Sequence, residues 1–272
     1  MRKSNFGLAT AFLVIAACVG LCVPRHALSD PSDAPKDVDT RLHKECLYPI
    51  VQLLEVGKQS GATGFVVRSE KLRDNVYYNM FLTCAHCVDD KPQEVALFLY
   101  EDWSYVRKIV KFPCLFYGVE DSLDVAVGYF LSDQLVPTTK LSPDLKLFIG
   151  SAVSKIGCGI GQEPRIDFGK VTRPVRRNEV KQKYLRHSAM TVPGDSGSPV
   201  FHDYKVVGMT THISATRNVP VFHLSFCLPI GRIYDWSKAN GGFYDHVFEP
   251  TTKMPKMPQY RLEVSNDYEI AK

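Results

Sequence analysis

Residues 193–200 read Pro-Gly-Asp-Ser-Gly-Ser-Pro-Val and place one serine, Ser196, between two closely spaced glycines. On its own, a Gly-Asp-Ser-Gly sequence is also a common turn. Two earlier stretches make it informative, because Leu-Thr-Cys-Ala-His-Cys at 82–87 contains His86 and Asp-Ser-Leu-Asp-Val-Ala-Val at 121–127 contains the candidate Asp124. The chain therefore presents a histidine, an aspartate and a serine in that order, each within a short motif.

These three residue types suit nucleophilic chemistry. A serine hydroxyl is a weak nucleophile near neutral pH and needs a positioned base. Histidine fits that role because its pKa lies near the working pH, and a carboxylate behind the imidazole fixes its tautomer. We therefore take His86, Asp124 and Ser196 as the candidate catalytic residues. Glycines beside the serine let backbone N–H groups approach a developing oxyanion, so the amides of Gly194 and Ser196 are the candidate oxyanion hole.

The motifs resemble those of the trypsin/chymotrypsin-like superfamily of serine peptidases, which uses the same chain order. Thr83-Cys84-Ala85-His86-Cys87 differs at one position from the family's Thr-Ala-Ala-His-Cys, and Asp124-Val125-Ala126-Val127 fits its Asp-Leu/Ile-Ala-Leu/Val pattern. The serine motif is close to Gly-Asp/Asn-Ser-Gly-Gly/Ser-Pro. The resemblance implies a serine endopeptidase with two six-stranded antiparallel β-barrels, the active site lying between them.

Within that superfamily the chain is more similar to bacterial members than to digestive trypsins. Ser198-Pro199-Val200-Phe201 resembles glutamyl endopeptidases, and the stretch 222–230 resembles the closing strand of Deg-type proteases. One departure concerns activation, since no Ile-Val-Gly-Gly sequence follows the N-terminal apolar run. In the family a freed N-terminus pairs with the aspartate before the nucleophile, so the partner of Asp195 is left open.

The rest of the sequence agrees with an all-β fold. Short runs rich in Val, Phe, Leu, Ile and Tyr, such as 64–67, 94–99, 125–130, 152–156 and 206–209, alternate with Gly, Pro, Asp and Asn clusters. Such spacing is typical of sandwiches and barrels. The segment from Gly231 to Lys238 predicts a short C-terminal helix.

Four segments are predicted along the chain. Residues 1–29 combine basic residues with an apolar run from Phe6 to Val23 and small residues near Ser29, as in a secretory signal peptide. An uncleaved membrane anchor and a lipidated Cys18 are the alternatives. Residues 30–45 are expected to form a flexible lead-in, 46–245 the protease domain, and 246–272 a polar, proline-bearing tail. The protein is therefore expected to be secreted or periplasmic.

Charge and cysteine content narrow the function. The formal net charge is +4, and it falls to +1 when Arg2, Lys3 and Arg25 are removed with the leader, which gives no general argument for binding nucleic acid. Six cysteines remain, and export permits disulfides without fixing their pairing. Cys84 and Cys87 form Cys-x-x-Cys around His86. A structural role is favoured there over a redox or zinc site, because no second ligand pair has suitable spacing.

The resemblance also indicates a substrate pocket, at Met190, Thr191, Thr211, His212 and Ile213. The residue six positions before the nucleophile forms the pocket base in the family. Here it is Met190, a neutral side chain that does not favour Lys or Arg. Thr191 and His212 invite comparison with glutamyl endopeptidases, although the histidine of those enzymes would fall at Thr210. Acidic specificity is therefore ranked below a preference for neutral or apolar residues.

The sequence predicts a serine endopeptidase that acts on proteins or peptides through an acyl-enzyme, with no metal and no organic cofactor. Two alternatives stay open at this point, a catalytically silent protein-binding module on the same fold and a serine esterase. The sequence does not indicate an oligomeric state.

Overall fold

The computed structural model describes residues 36–56, 61–88, 92–101, 103, 105–175, 183–216, 219–240 and 247–248. Two α-helices flank the strands, α1 (Thr40–Leu42) and α2 (Ile230–Asn240). The strands are β1 (Ile50–Glu55), β2 (Gly61–Arg73), β3 (Val76–Thr83), β4 (Gln93–Glu101), β5 (Tyr105–Glu120), β6 (Val125–Ser132), β7 (Lys140–Leu141), β8 (Ala152–Gly157), β9 (Arg165–Arg173), β10 (Leu185–His187), β11 (Pro199–His202), β12 (Lys205–Thr216) and β13 (Val219–Pro229).

The first barrel closes in the order β1-β2-β3-β6-β5-β4, and all its pairings are antiparallel. Alternate residues of β3 lie on opposite faces, as strand geometry requires. Phe81 is buried in one apolar cluster, whereas its neighbours Met80 and Leu82 lie in a second cluster that also contains residues of the second barrel. Burial of both faces explains why the sequence shows continuous apolar runs rather than strict alternation.

The second barrel follows the order β11-β8-β9-β10-β13-β12, and a further pairing between β11 and β12 closes it. Both barrels are thus six-stranded, and the predicted double-barrel fold is confirmed. The short strand β7 was not predicted, and it joins β12 in parallel through Lys140 and Leu141. A cluster that includes Val153, Val171 and Val200 forms part of the core of this barrel.

A shared apolar layer joins the barrels. It contains Phe65 and Met80 from the first barrel and Ile156 and Met209 from the second, all at most 1% exposed. Helix α2 adds Ile233 to this cluster. The predicted C-terminal helix is therefore confirmed, and its apolar side covers the junction from which the site residues emerge.

Regular structure begins at Thr40, earlier than the expected start near Cys46. Asp39 is the physical reason, because its carboxylate accepts hydrogen bonds from the Leu42 amide (2.9 Å) and the Tyr204 hydroxyl (2.6 Å), and so caps α1 and ties it to the second barrel. The predicted signal segment lies outside the described residues. Of the predicted tail only Val247 and Phe248 are described, and Val247 is buried. No helix in the described part of the chain has the length and hydropathy to cross a membrane.

Candidate active site

His86, Asp124 and Ser196 meet at the junction of the two barrels. His86 lies on the 3-10 turn Ala85–Cys87 that follows β3, Asp124 directly precedes β6, and Ser196 lies in the turn that leads into β11. The imidazole Nδ1 lies 2.9 and 3.0 Å from the two carboxylate oxygens of Asp124, and Nε2 lies 3.0 Å from the Ser196 hydroxyl oxygen. The structure therefore brings all three predicted catalytic residues into one hydrogen-bonded chain.

Strand pairing in the first barrel sets the histidine against the aspartate. Thr83 at the end of β3 is paired with Ala126 at the start of β6, so the segments beyond both residues are neighbours. Asp124 adopts a left-handed conformation with φ of 60°, which aspartate tolerates better than most residues. Its carboxylate also accepts a hydrogen bond from the backbone amide of His86 (3.1 Å). The imidazole is thus held from two sides by one carboxylate.

The environment of His86 favours its protonated form. Hydrogen bonding to the Asp124 carboxylate, with a second contribution from Cys87, raises the pKa of His86 from 6.5 to about 10, and partial burial opposes the change. The side chain is half exposed and therefore accessible from the cleft. A carboxylate that stabilises imidazolium fits a base that must take up a proton during a reaction.

Two glycines shape the turn that carries Ser196. Gly194 and Gly197 have φ of 96° and 86°, in the region that favours glycine. A side chain at Gly194 would also lie 2.9 Å from the carbonyl oxygen of Cys158. Within the described part of the chain, the backbone amides of Gly194 and Ser196 donate to no other group, which leaves both N–H groups available to a ligand.

A threonine of the first barrel secures this turn from below. Thr63 in β2 donates its backbone N–H to the Ser196 carbonyl (2.8 Å) and its hydroxyl to the Gly194 carbonyl (2.8 Å), and the hydroxyl accepts from the Cys158 amide (2.9 Å). Thr63 is fully buried. Sequence reasoning missed its role, and the one available signal was a polar residue at the start of an apolar strand.

Comparison with known proteins identifies the family. Residues 62–209, more than half of the 272-residue chain, match the family model of the trypsin-like peptidase domain. The chain belongs to this family. The match includes all three residues of the hydrogen-bonded chain and both glycines of the nucleophile turn.

Trypsin-like relatives with Deg-type names share part of the sequence. A probable periplasmic serine endoprotease DegP-like from Pseudomonas putida strain W619 is 29% identical over 182 residues, covering 66% of this chain and 34% of that protein. A protein of the same name from Halomonas elongata is 26% identical over 176 residues, covering 64% and 33%. The chain thus spans about a third of the length of the curated relatives it matches.

A solved structure shows the same trypsin-like fold. The serine endoprotease from Yersinia pestis aligns with a TM-score of 0.55 at 15% identity, covering 73% of this chain and 65% of that one. At this identity the likeness concerns the fold alone. The predicted Deg-type affinity is supported by the names of the sequence relatives from Pseudomonas putida and Halomonas elongata.

Asp195, whose partner the sequence left open, contacts Lys155 of β8. Both side chains are fully buried, and the lysine ammonium bonds to the Asp195 carboxylate. The same carboxylate oxygen accepts the Val192 amide (2.8 Å). Sequence reasoning missed Lys155. The signal was a lone charged residue within the predicted strand 152–156, at a position that the pleat directs inward.

Among the predicted specificity residues, Thr211 contacts the nucleophile directly, because its carbonyl accepts a hydrogen bond from the Ser196 hydroxyl (3.4 Å). Thr191 is buried and donates its amide to the Phe222 carbonyl (3.0 Å). Met190 and Ile213 are half-buried. Their part in substrate selection remains a prediction.

His212 is exposed and belongs to an aromatic group beside the site. Its ring stacks on Phe226 at 4.6 Å between centroids and meets the edge of Tyr184 at 4.8 Å. Thr210, the position at which glutamyl endopeptidases would carry a histidine, is fully buried and exchanges backbone hydrogen bonds with Gly197 and Ser198. The register of β12 against β13 shifts between Thr210 and His212, and His212 is therefore exposed although Thr210, two residues earlier, is buried.

A cleft of about 370 Å³ opens next to the site on the side of the first barrel. Half-buried Cys87 lies in its wall, and buried Cys84 lies behind. The lining residues are Leu53, Glu55, Gly61, Ala62, His86, Cys87, Val88, Gln93, Gly194 and Ser196.

Cys84, His86 and Cys87 form a group whose donor atoms all lie within 4.8 Å of one another. Both ring nitrogens of His86 are already engaged by Asp124 and Ser196, so a metal ion here would have to displace one of these contacts. The expectation of no metal stays a prediction. All six cysteines that follow the predicted leader are described and have free thiols, and the expected disulfides stay a prediction.

Proposed function

We propose that the protein is an exported serine endopeptidase that uses His86, Asp124 and Ser196 as a catalytic triad. The observation that carries the proposal is the bridge formed by His86, which bonds to Asp124 through Nδ1 and to Ser196 through Nε2. Each distance is within hydrogen-bond range for a nucleophile and its base. Membership of the trypsin-like peptidase family supports the same reading.

The reaction follows from the proton positions that this bridge allows. Ser196 Oγ attacks the scissile carbonyl carbon while His86 Nε2 takes the hydroxyl proton. The imidazolium then gives that proton to the leaving amine as the C–N bond breaks, which leaves an acyl-enzyme ester on Ser196. A water molecule, deprotonated by His86, attacks the ester, and return of the proton to Ser196 releases the carboxylic acid product.

The oxyanion formed in each step needs donors that are already in place. The amides of Gly194 and Ser196 are the proposed donors, since neither is bonded elsewhere within the described residues. The left-handed Gly194 and the Thr63 hydroxyl bond to its carbonyl support a fixed turn at this point. A fixed donor needs little reorganisation when charge develops, which is the source of its effect on rate.

The proposed substrates are proteins or peptides with a neutral or apolar residue before the scissile bond. Met190 offers no buried carboxylate to a basic side chain, and Thr210 stands where an acid-specific histidine would be needed. The relatives in Pseudomonas and Halomonas are named as endoproteases, which supports a polypeptide substrate.

Export is proposed from the N-terminal sequence, whose basic start and apolar run are those of a signal peptide. The relatives are named as periplasmic, which supports the same compartment. Mass spectrometry of the exported protein's N-terminus tests this, and a first residue after Ser29 is expected. A first residue upstream of Cys18 would contradict both cleavage at Ser29 and lipidation of Cys18.

The decisive test of the activity uses a serine-directed fluorophosphonate probe together with casein hydrolysis. The wild-type protein is expected to be labelled on Ser196 and to cleave casein, whereas Ser196→Ala is expected to do neither. Ser142→Ala is a matched control, because Ser142 is a half-buried serine that follows β7 and takes no part in the hydrogen bonds among His86, Asp124 and Ser196. Labelling without proteolysis would favour an esterase, and absence of labelling would favour a silent binding module.

A further inference from the structure

Behind the nucleophile turn lies a buried ion pair that the proposed mechanism does not use. We infer that Lys155 is a positioning residue, whose ammonium ion holds the Asp195 carboxylate and thereby fixes the turn that carries Ser196 and its oxyanion donors. This inference rests on the proposed function and adds to it the ion pair that holds the nucleophile turn in position.

The contacts of Asp195 explain how a cation can act on the turn. One carboxylate oxygen bonds to the Lys155 ammonium and accepts the backbone amide of Val192 (2.8 Å). The backbone of Asp195 closes the turn on both sides, since its amide donates to the Val192 carbonyl (3.0 Å) and its carbonyl accepts from the Ser198 amide (3.0 Å). Movement of the side chain would therefore disturb the residues on either side of Ser196.

The strand that supplies Lys155 also makes room for the carboxylate. A Cβ atom on Gly157, two residues further along β8, would clash with Asp195 Oδ1 and Ser198 Oγ. A Cβ atom on Gly159 would lie 3.0 Å from the same Asp195 oxygen and clash with Val192. The Gly-Cys-Gly sequence at 157–159, which the sequence suggested only as a turn, thus forms one wall of the space for Asp195.

Opposite charges balance around this buried pair. The Lys155 ammonium also lies 3.2 Å from Asp167, which in turn accepts a hydrogen bond from Arg165 Nε (3.1 Å). Arg165 Nη2 lies 3.7 Å from Asp195. Two cations therefore face two carboxylates. Burial and the nearby Lys155 lower the pKa of His187 to about 4, so this histidine adds no charge near neutral pH.

Energetics point to positioning rather than to stability. A buried ion pair costs so much desolvation that an apolar replacement of both partners is often as stable, whereas removing one partner strands the other charge. Lys155 and Asp195 are both fully inaccessible to solvent, and Asp195 is adjacent in sequence to the nucleophile. Since the cation comes from within β8, the pair forms wherever the chain begins and needs no freed terminus.

Three variants of the full chain test the inference. Lys155→Met keeps the length of the side chain but removes the fully buried cation that bonds to Asp195, and we expect the fluorophosphonate labelling rate of Ser196 to fall about 100-fold. Adding Asp195→Asn to this variant removes the carboxylate charge, and we expect the labelling rate of Ser196 to recover at least tenfold. Lys170→Met, at an exposed lysine on the neighbouring strand β9, is the matched control and should label at the wild-type rate.

Amide hydrogen exchange provides a readout that does not depend on activity. In Lys155→Met, peptides covering residues 192–199 are expected to exchange at least tenfold faster, while peptides of β3 keep wild-type exchange. Wild-type labelling and exchange in Lys155→Met would overturn the inference. If the wild type itself is not labelled, the proposed function fails, and the exchange comparison still decides whether Lys155 holds the turn. If Lys155→Met does not fold, the labelling rate and the amide exchange are measured instead on the double variant, which combines Lys155→Met with Asp195→Asn, and on Asp195→Asn alone. Wild-type exchange in Asp195→Asn would then overturn the inference.

Discussion

The Thr63 hydroxyl, in the first barrel, donates a 2.8 Å hydrogen bond to the carbonyl of Gly194 in the second, and accepts another from Cys158. Replacement by valine keeps the shape but leaves the carbonyl of half-buried Gly194 and the amide of buried Cys158 without these partners. Each such group costs about 1–3 kcal/mol. We expect Thr63→Val to lower the free energy of unfolding by that order and kcat/KM by at least tenfold, measured by urea unfolding and peptide hydrolysis.

Thr139→Val is the control for this prediction. Thr139 is also buried, and its hydroxyl donates to the Val66 carbonyl (3.2 Å), but its own backbone amide donates to that carbonyl too (2.9 Å). No group loses its last partner, so a smaller change in stability and an unchanged kcat/KM are expected. Equal effects of the two substitutions would contradict a specific role for Thr63.

The pH dependence of activity should reveal the surroundings of His86. Only the neutral imidazole can take the serine proton, and a raised pKa keeps the ring protonated up to higher pH. In a plot of kcat/KM against pH, the rise that reports deprotonation of His86 should therefore be displaced from a pKa of 6.5 toward about 10. Because Cys87 contributes to the raised pKa of His86, the rise of kcat/KM with pH should occur at lower pH in Cys87→Ala.

Cys114→Ala serves as the comparison, since Cys114 is a buried cysteine of the first barrel that does not contribute to the raised pKa of His86. In Cys114→Ala, kcat/KM should rise at the same pH as in the wild type. A Cys87→Ala profile that also coincides with the wild type would show that the thiol does not act on His86.

Thiol reactivity should single out Cys87. The hydrogen bond from Cys84, with help from His86, lowers the pKa of Cys87 to about 6, whereas burial raises the pKa of Cys46 and Cys114 to about 12. Thiolate is the reactive form. Iodoacetamide at pH 7 should alkylate Cys87 first, as read by peptide mass spectrometry.

This alkylation should also abolish peptide hydrolysis, because the adduct would occupy the cleft of about 370 Å³ that Cys87 shares with Ser196. Cys87→Ala should keep its activity under the same treatment, and Ser196→Ala should still be alkylated. Loss of activity in treated Cys87→Ala would place the sensitive thiol elsewhere.

Substrate preference should follow from the neutral Met190. A peptide-library profile of the wild type should favour neutral or apolar residues before the cleaved bond, and Met190→Asp should shift the preference toward Lys and Arg by at least tenfold in kcat/KM. Cleavage by the wild type mainly after Lys or Arg would contradict the prediction. Met190→Gln, which adds polarity without charge, is the control.

The sequence allowed the main elements of the site to be predicted because they are local. His86, Asp124 and Ser196 each sit in a motif of a few residues, and their order along the chain distinguishes this arrangement from others with the same residues. The barrels were also predictable, since runs such as 64–67 and 125–130 recur in β2 and β6. The early start at Thr40 was missed, because its cap depends on Tyr204.

The supporting residues were not predictable from the sequence, because their contacts join distant parts of the chain. Thr63 and Gly194 are 131 positions apart, and Lys155 and Asp195 are 40 apart. Neither contact produces a periodic pattern in the sequence, and each became visible only when the barrels were placed together. The exposure of His212 was unpredictable for the same reason, since it depends on the shift in register between β12 and β13 at Thr210 and His212.

The division of the site between two barrels has a consequence for synthesis. A ribosome makes His86 and Asp124 first, then Ser196, and only afterwards β13, whose pairing with β10 and β12 completes the second barrel. A nascent chain shorter than Pro229 therefore contains all three reactive side chains without the scaffold that joins them. We therefore expect the nascent chain to gain peptidase activity only after β13 has been made and has paired with β10 and β12.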